Sequence, residues 1–378
     1  MHDFQLPTVA LTKADYTNPA RLEASVEEAM AQLGGVDQFI EAGQTVLLKP
    51  DLMMDYPEGA GLVSHPELVA AVGRLVSRCG ARVLIGDSPF ITGSNTAWLW
   101  DETGMSHVAR RDGFELVNFE KSGSRVVAVD TKVYYVSKVA LEADTVISLP
   151  RLKGDSWTVF SGAVRNMVGV IPGFQKGLLY ARASGSRNLA RIIVDVFSTV
   201  RPGLTILELG SPNGVLSGGS GNGNFVAAST DAVAIDCVVA KLLSKDPDRI
   251  LTTRLAAEAG LGIGWMEAIR LVGEELDEVK SSLAGKIQLK SSGIWPRVLM
   301  ALVEPLSWVR SQVNSQTCDG CGKCTEVCPT KAMQFDNGSR TPSINYKLCI
   351  GCWAGLSNCP NEAIELRKSR LSDKVFSS

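Results

Sequence analysis

The stretch CDGCGKCTEVCP, residues 318–329, decides the fold of the C-terminal part of the chain. Its cysteines follow the spacing C-x2-C-x2-C-x3-C directly before Pro329, and they are Cys318, Cys321, Cys324 and Cys328. Three closely spaced thiolates bind three corners of an iron–sulfur cubane, whereas the fourth, which precedes proline, leaves in the wrong direction and serves a second cluster. Four cysteines at this spacing, with the proline, argue against a tetrahedral zinc site. The stretch therefore predicts a small α+β domain of the bacterial ferredoxin type.

A second run, CIGCWAGLSNCP at residues 349–360, repeats the pattern with one change, because Gly355 stands where a cysteine is expected. The crossover rule predicts that cluster one is a complete 4Fe-4S cluster. Its ligands would be Cys318, Cys321, Cys324 and Cys359. Cluster two would have three thiolates only, from Cys328, Cys349 and Cys352.

The missing thiolate leaves three interpretations of cluster two open. The site could hold a 3Fe-4S cluster, which needs three thiolates. It could hold a 4Fe-4S cluster whose fourth iron takes water, a substrate atom or an oxygen ligand from elsewhere in the chain, which would make that iron a Lewis acid. It could also be degenerate, with the fold kept and the metal lost. Because Gly355 has no side chain, a small ligand could approach an exposed iron.

Composition excludes several classes of protein. The 378 residues are 45% hydrophobic and 21% charged, as in globular proteins, and are enough for two or three domains. A formal net charge of -2 gives no sign of a nucleic-acid partner. The first residues lack the basic and apolar regions of a secretory signal, so we expect a cytoplasmic protein. Cys79 and Cys237 stand alone in helical patterns and are expected to be buried small hydrophobic residues.

From about residue 40 to residue 290, short β-rich runs alternate with amphipathic helical segments. The strand candidates are TVLLK (45–49), RVLIG (82–86), DTVISL (144–149) and LTILEL (204–209). HPELVAAVGRLVSRCG and RNLARIIVDVFSTV, which lie between them, follow the helical period. Strands joined by helices predict a largely parallel, doubly wound α/β sheet. We expect an α/β domain over 1–290, a helical linker over 291–313, a ferredoxin-type domain over 314–367 and a tail over 368–378.

The segment KSSGIWPRVLMALVEPLSWVRSQVNSQ, residues 290–316, is apolar but interrupted by charges and Pro305. It is too short and too broken to span a membrane comfortably. We interpret it as helical turns that pack the last domain on the first. The alternative is an amphipathic patch for a membrane surface or a partner protein, anchored by Trp295 and Trp308.

Several motifs between about residues 45 and 265 carry a family resemblance. They are LLKPDLM, SHPELVAAVGRLVSRCGARVLIGDSP, ADTVISLPRLK, SGAVRNMVGVIPG and STDAVAIDCVVAKLL. With them the chain resembles the bacterial and archaeal family called domain of unknown function three-six-two. The resemblance implies this architecture, commonly with a C-terminal two-cluster ferredoxin domain, and implies no particular reaction. The chain departs from the family at 153–155, where Lys-Gly-Asp replaces Lys-Thr-His, and at SPNGVLSGGSGNG, where a Glu-Gly-Asn-Gly-Pro type loop is expected.

Polar side chains follow four of the predicted strands. Ligands of open α/β sheets bind beyond the carboxyl ends of the strands. If these ends are neighbours, lysines and carboxylates converge there and could bind an anionic substrate and move protons. We therefore propose four catalytic candidates, two lysines to pair an anion and two acids to move protons, with Asp51, Ser88 and Asp155 beside them. The candidates are Lys49, Lys153, Asp87 and Glu208.

The run GSPNGVLSGGSGNGN, residues 210–224, is rich in glycine. Backbone amides in such a loop can approach a phosphate, so Gly218, Gly219 and Gly221 are candidate contacts to a nucleotide or a flavin. The run lacks GxGxxG spacing and does not open into a helix. A lid over the strand ends is the alternative.

Two functional classes fit these observations. In the first, the protein is an oxidoreductase whose ferredoxin domain passes electrons to a small anionic substrate in the α/β domain. In the second, it is a noncatalytic electron carrier or accessory subunit that docks a partner redox enzyme. Both require a redox partner protein or another electron donor, and neither requires nucleic acid or a transmembrane segment.

Overall fold

The computed structural model describes residues 6–52, 63–88, 97–155, 157–173, 175–181, 183, 185–210, 224–283, 309–336 and 338–369. Gly218, Gly219 and Gly221 lie outside these residues, as do Trp295 and Trp308. The roles proposed for these residues stay predictions. In the described part of the chain, no helix combines the length and the apolar character needed to cross a membrane.

An eight-stranded sheet forms the centre of the first domain. Its strands are β1 (Thr8–Lys13), β2 (Thr45–Pro50), β3 (Arg82–Asp87), β4 (Glu115–Asn118), β7 (Thr145–Leu149), β10 (Leu204–Leu209), β11 (Phe225–Ser229) and β12 (Arg270–Gly273). Their order in the sheet is β12-β1-β11-β10-β7-β2-β3-β4. All of the pairs are parallel except the two made by β11, which runs against both β10 and β1. Two hairpins stand outside the sheet, β5 (Ser124–Val129) with β6 (Lys132–Ser137) and β8 (Lys153–Asp155) with β9 (Val159–Ser161).

Helices cover both faces of this sheet, as expected for a doubly wound α/β domain. One face carries α1 (Pro19–Gln32), α2 (Pro66–Arg78), α3 (Ala97–Glu102) and α4 (Met105–Asp112). The other carries α5 (Lys138–Glu142), α6 (Ala163–Asn166), α8 (Ser186–Thr199), α9 (Ala232–Leu242), α10 (Leu251–Glu258) and α11 (Leu276–Leu283). A further helix, α7, spans Gln175–Ala181. Alternate strand residues feed the two cores, since Leu47 packs in one while Val46 and Leu48 pack in the other. The predicted fold class is confirmed.

Local sequence explains why α2 begins where it does. Pro66 occupies the first turn, where its missing N–H costs nothing. The Nδ1 atom of His65 accepts a hydrogen bond from the backbone N–H of Glu67 at 3.2 Å. His65 is therefore the N-cap residue, and it helps to fix the end of the helix beside the carboxyl edge of the sheet.

The ferredoxin-type domain is built from two small antiparallel pairs and two short helices. Its elements are β13 (Val309–Val313), α12 (Lys323–Glu326), β14 (Met333–Phe335), β15 (Pro342–Ile344), α13 (Ala354–Ser357) and β16 (Ile364–Lys368). Strand β13 pairs with β16, and β14 with β15. The last five residues of the predicted helical linker, 309–313, are thus a strand. The β ladder to 364–368 supplies their backbone hydrogen bonds and overrides the helical interpretation of that segment.

Candidate functional site

The four predicted strand ends are neighbours at one edge of the sheet. Strands β10, β7, β2 and β3 are adjacent and parallel, so their carboxyl ends lie together. Three ion pairs cross this edge, and each joins a cation to a carboxylate from a neighbouring strand end. They are Lys49–Asp87 at 2.9 Å, Lys153–Asp51 at 2.8 Å and Arg151–Glu208 at 2.9 Å. The geometry brings together all four residues proposed as catalytic, and each of them is paired.

The Lys49–Asp87 pair is buried, with side chains 1% and 3% exposed. The ammonium of Lys49 also donates to the carbonyl of Pro50 at 2.9 Å and to Oδ1 of Asn166 at 3.1 Å. Gly169 closes over the pair, since a Cβ at that position would lie 2.2 Å from Oδ1 of Asp87. Only glycine allows this close approach, so Asn166 and Gly169 lie at the site, although the sequence analysis gave neither residue a role there.

Glu208 is held on both of its oxygens. Oε2 accepts from Arg151 and from the hydroxyl of Tyr16, each at 2.9 Å, and Oε1 accepts from the backbone N–H of His65 at 2.8 Å. Burial, followed by the negative charge of Glu208, raises the pKa of Tyr16 well above its ordinary value. These contacts tie β10 to the segment between β1 and α1 and to the start of α2. They account for a buried carboxylate at this position without assigning it a proton-transfer role.

Lys153 lies beside a second acidic residue on the β8–β9 hairpin. Burial lowers the pKa of Lys153, and the charge of Asp51 opposes that shift. Oδ1 of Asp155 accepts from the N–H groups of Trp157 and Thr158 at 2.8 Å and pairs with Arg165 at 2.5 Å. The hairpin therefore adds further charges to the strand-end edge.

A second group of buried polar residues lies next to Asp87, and the sequence analysis missed most of it. The hydroxyl of Ser88 donates to Oε1 of Glu120 at 2.6 Å and accepts from the ammonium of Lys176 at 2.8 Å. Burial lowers the pKa of Lys176 to about 8, although Glu120 and Asp87 favour its charge. Among the described residues, Oε2 of Glu120 has no hydrogen-bond partner. A buried lysine with a lowered pKa beside an unsatisfied carboxylate oxygen is typical of a functional site.

The cysteines of the ferredoxin-type domain line two cavities. One cavity is lined by Cys318, Cys321, Cys324 and Cys359, and the other by Cys328, Cys349, Cys352 and Gly355. The backbone N–H of Ala363 donates to Sγ of Cys359 at 3.3 Å, and that of Ala332 to Sγ of Cys328 at 3.1 Å. Cysteine sulfurs that surround a cavity and accept hydrogen bonds from backbone N–H groups are the arrangement that binds an iron–sulfur cluster. Each cavity is lined by the cysteines that the crossover rule assigns to one cluster, and the ligand assignment itself stays a prediction.

Burial raises the pKa of three of the thiols in these cavities, those of Cys324, Cys349 and Cys352. Burial raises the pKa of Cys324 to about 11 and that of Cys352 to about 12. Cluster ligation needs thiolates, so loading the domain releases protons. In the described part of the chain, no group of three or more His, Cys, Asp or Glu side chains is arranged to hold a single metal ion.

The two domains touch where the cluster-two cavity meets the α/β site. Gly173 has a φ of +64°, and a Cβ there would lie 2.7 Å from the carbonyl oxygen of Cys352. The N–H of Gly173 is shared between Oγ of Ser88 at 3.1 Å and Oε1 of Glu120 at 3.2 Å. One residue therefore separates the peptide of a predicted cluster-two ligand from the Ser88, Glu120 and Lys176 group.

Helix α6 places Asn166 against Lys49, and Asp236 on α9 holds the start of that helix. The carboxylate of Asp236 accepts from the N–H groups of Ala163 at 2.7 Å and Val164 at 3.1 Å. Burial raises the pKa of Asp236 to about 7, since it outweighs the two amide donors. The side chain is therefore protonated in the folded protein at a pH where it is ionised in the unfolded chain.

This shift predicts a pH dependence of stability. Because the folded pKa is raised, the contribution of Asp236 to stability is complete below about pH 4 and is lost as the pH rises towards 7. Between about pH 5 and pH 6.5 we expect the wild type to lose stability relative to Asp236→Asn, by about 1.4 kcal/mol for each pH unit. Urea unfolding of both proteins at several pH values measures this difference. Parallel pH profiles would show that the acid is ionised in the folded state.

Comparison with known proteins agrees with this architecture. Residues 46–241 match the family described as domain of unknown function (DUF362), and residues 310–360 match a 4Fe-4S dicluster domain. The fold and the cysteine-lined cavities define an iron–sulfur electron-transfer protein with an α/β domain and a ferredoxin-type domain. The chain belongs to the DUF362 family, as the sequence resemblance implied.

A curated relative and two solved structures share parts of the chain. The thylakoid-associated protein of Synechocystis sp. is 30% identical over 263 residues, which cover 68% of this chain and 80% of that protein. The apoprotein of lactate racemase from Thermoanaerobacterium thermosaccharolyticum is 11% identical, with a TM-score of 0.37, and 52% of it is covered by 55% of this chain. A protein from Thermotoga maritima is 14% identical, with a TM-score of 0.32, and the match covers 49% of this chain and 50% of that one. The cytoplasmic location expected from the sequence stays a prediction.

Proposed function

We propose that the protein is an iron–sulfur oxidoreductase that passes electrons from its ferredoxin-type domain to a small anionic substrate at the strand-end edge of the α/β domain. One observation carries this proposal. The backbone of Cys352, a predicted ligand of cluster two, packs on Gly173, whose N–H is held by Ser88 and Glu120. A protein that only carried electrons would not need its second cluster site to face a group of buried ionisable residues.

The residues near this contact have the chemistry that a reduction requires. When bound, an iron–sulfur cluster supplies single electrons, and the protein must supply protons and orientation. Lys176, with a pKa of about 8, can give a proton near neutral pH. Among the described residues, Oε2 of Glu120 has no hydrogen-bond partner. It can therefore accept a hydrogen bond from a substrate or, when protonated, donate one.

Positive charge at the same edge favours an anionic group on the substrate. Besides Lys176, this edge carries four cations, each paired with a carboxylate of the protein. They are Lys49, Lys153, Arg151 and Arg165. A carboxylate or phosphate on the substrate would exchange for one of these protein carboxylates. Arg165–Asp155 is the most exposed of the four pairs, and Lys153–Asp51 is the second, with both side chains 11% exposed.

A second candidate function, a noncatalytic carrier or accessory subunit, is favoured by a different surface. Cys321 is exposed and lines the cluster-one cavity together with Phe335, whose side chain is 40% exposed. An exposed aromatic residue beside a cluster is a suitable contact for a partner redox protein. In the oxidoreductase this surface would receive electrons, and in the carrier it would be the whole functional site.

The two functions are distinguished by reoxidation of the reduced protein. The full chain is reduced anaerobically, freed of reductant and mixed with a panel of small carboxylates, phosphates and inorganic oxoanions while the visible absorbance of the clusters is followed. We expect one class of anion to reoxidise the protein. Lys176→Met should slow that reaction by about a hundredfold or more without changing the iron content, because a positioned proton donor is lost.

Two further variants make this test specific. Gly173→Ala places a Cβ against the carbonyl of Cys352 in a left-handed conformation, so it should also slow reoxidation. Lys138→Met, which removes a surface lysine with a side chain 49% exposed, is the control and should react like the wild type. Reoxidation by a redox protein alone, at equal rates in the wild type and in Lys176→Met, would overturn the oxidoreductase in favour of the carrier.

A further inference from the structure

The ferredoxin-type domain is an internal repeat with an offset of 31 residues. CDGCGKCTEVCPTKAM, residues 318–333, corresponds position by position to CIGCWAGLSNCPNEAI, residues 349–364. The backbone repeats as well, because helices α12 and α13 occupy equivalent positions and left-handed residues recur in equivalent pairs. These pairs are Gly320 and Gly351, Gly322 and Trp353, and Lys331 and Glu362. The amide bonds to Cys328 and Cys359 are a further equivalent pair. One half can therefore serve as the reference for the other.

Against this reference, two sulfur positions differ in a complementary way. The third cysteine of the first half, Cys324, corresponds to Gly355, so the second half has lost a sulfur atom there. Ile364 of the second half corresponds to Met333, so the first half has gained one at that position. The loss and the gain are 22 residues apart in sequence, and nothing in the local pattern connects them.

The fold brings these two positions into contact. A Cβ built on Gly355 would lie 2.7 Å from Sδ of Met333, nearer than real Cβ atoms approach a neighbour. Cβ of Cys324 at 3.3 Å and Cδ1 of Ile364 at 3.5 Å are the next atoms. The thioether of Met333 therefore occupies space that a side chain at residue 355 would need. Gly355 is buried, and its missing side chain does not leave an open path to the cavity.

Met333 also faces the right cavity. It lines the cavity of cluster two together with Cys328, Cys349, Cys352 and Gly355, and it is 7% exposed. A thioether is a soft neutral ligand that iron accepts in cytochromes c, and it needs no deprotonation. The sulfur is attached to a flexible side chain, which can adjust its position to the metal.

We propose that Sδ of Met333 supplies the fourth protein sulfur of cluster two, so that the site holds a 4Fe-4S cluster with three thiolates and one thioether. This inference concerns the ligation of the cluster and does not depend on what the α/β domain binds. It replaces the interpretation in which the fourth iron is open to small ligands. Because a thioether is neutral, cluster two carries one negative charge less than cluster one and is reduced first.

Iron content and electron paramagnetic resonance of the anaerobically purified full chain test the proposal. The wild type should contain about eight irons per chain and show no oxidised 3Fe-4S signal. Met333→Leu keeps nearly the same volume and removes the sulfur. It should contain about seven irons and show an oxidised 3Fe-4S signal. Ile364→Leu, which changes the equivalent residue of the other half, is the matched control and should resemble the wild type.

A rescue variant and a direct probe complete the test. Gly355→Cys combined with Met333→Ala introduces a cysteine and removes the side chain that fills its space, so this double variant should recover about eight irons. Selenium-edge X-ray absorption of the selenomethionine-labelled wild type should show iron at bonding distance from one selenium. An oxidised 3Fe-4S signal in freshly purified wild type, equal iron content in wild type and Met333→Leu, or no iron near selenium would each overturn the proposal. The selenium measurement needs no substitution at residue 333, so it decides the matter even if Met333→Leu does not fold.

Discussion

Replacing Arg151 with methionine should lower the free energy of unfolding of the α/β domain by about 3–5 kcal/mol. Both members of the Arg151–Glu208 pair have side chains 1% exposed, so the substitution leaves a buried carboxylate without its counter-charge. The hydroxyl of Tyr16 and the N–H of His65 stay bound to Glu208, but neither neutralises it. Urea unfolding followed by far-ultraviolet circular dichroism measures the loss.

A surface pair of the same chemistry provides the control. Arg82 pairs with Glu115 between β3 and β4, where the side chains are 63% and 54% exposed. Arg82→Met should therefore cost less than about 1 kcal/mol, because water screens the pair and solvates the remaining acid. Equal losses in the two variants would mean that water reaches Glu208 in solution and that the strand-end edge is more open than the structure shows.

Cys328 and Cys359 are each expected to bind the cluster of the other cysteine run. Replacing either one with alanine should therefore disrupt the cluster that belongs to the other run. Cys328 ends the first cysteine run but lines the cavity of cluster two, and Cys359 ends the second run but lines the cavity of cluster one. Cys328→Ala leaves cluster two with two thiolates and should lose about four of about eight irons, whereas Cys359→Ala leaves cluster one with three thiolates and should lose at least about one iron together with the 4Fe-4S signal of that cluster. The electron paramagnetic resonance signal that survives in Cys328→Ala should be the one that Cys359→Ala lacks.

Cys237→Ala is the control for these two variants. Cys237 is buried in α9, far along the chain from both runs, and burial raises the pKa of its thiol to about 12. It should retain all of its iron and both signals. If Cys328→Ala and Cys359→Ala lost the same signal, the crossover assignment of the ligands would be wrong.

Much of the fold follows from local sequence patterns. The four apolar runs that predicted strands are β2, β3, β7 and β10, and they lie side by side. Buried central strands have continuous apolar sequences, which makes them easy to recognise. The edge strands β4 and β12, the strand β1 and the antiparallel β11 were not predicted, because their short sequences differ little from buried helix segments. Pairing at long range, which no local pattern encodes, decides their conformation.

The residues of the candidate site also fall into two groups, those that local sequence patterns predict and those that they do not. The proximity of Lys49, Asp87, Lys153 and Glu208 could be predicted because they lie at or just after the ends of recognisable strands, and chain topology then brings those ends together. Glu120 and Lys176 follow no such rule, since one lies just after an edge strand and the other in a short helix. Their proximity arises from tertiary packing around Ser88. The link between Gly355 and Met333 can be seen in the sequence, because an alignment of the two halves of the ferredoxin-type domain shows that both positions differ between the halves.

The position of β1 in the sheet has a consequence for how the protein is made. β1 lies between β11 and β12, so both of its neighbours are more than two hundred residues further along the chain. At ribosomal speeds the first strand waits roughly ten to forty seconds for a neighbour to emerge. During that interval its apolar residues Val9, Ala10 and Leu11, all fully buried in the finished protein, face the solvent or a chaperone. The first strand to be made therefore has no pairing partner until β11 and β12 have been made. The sheet is complete only when translation of the α/β domain is nearly finished.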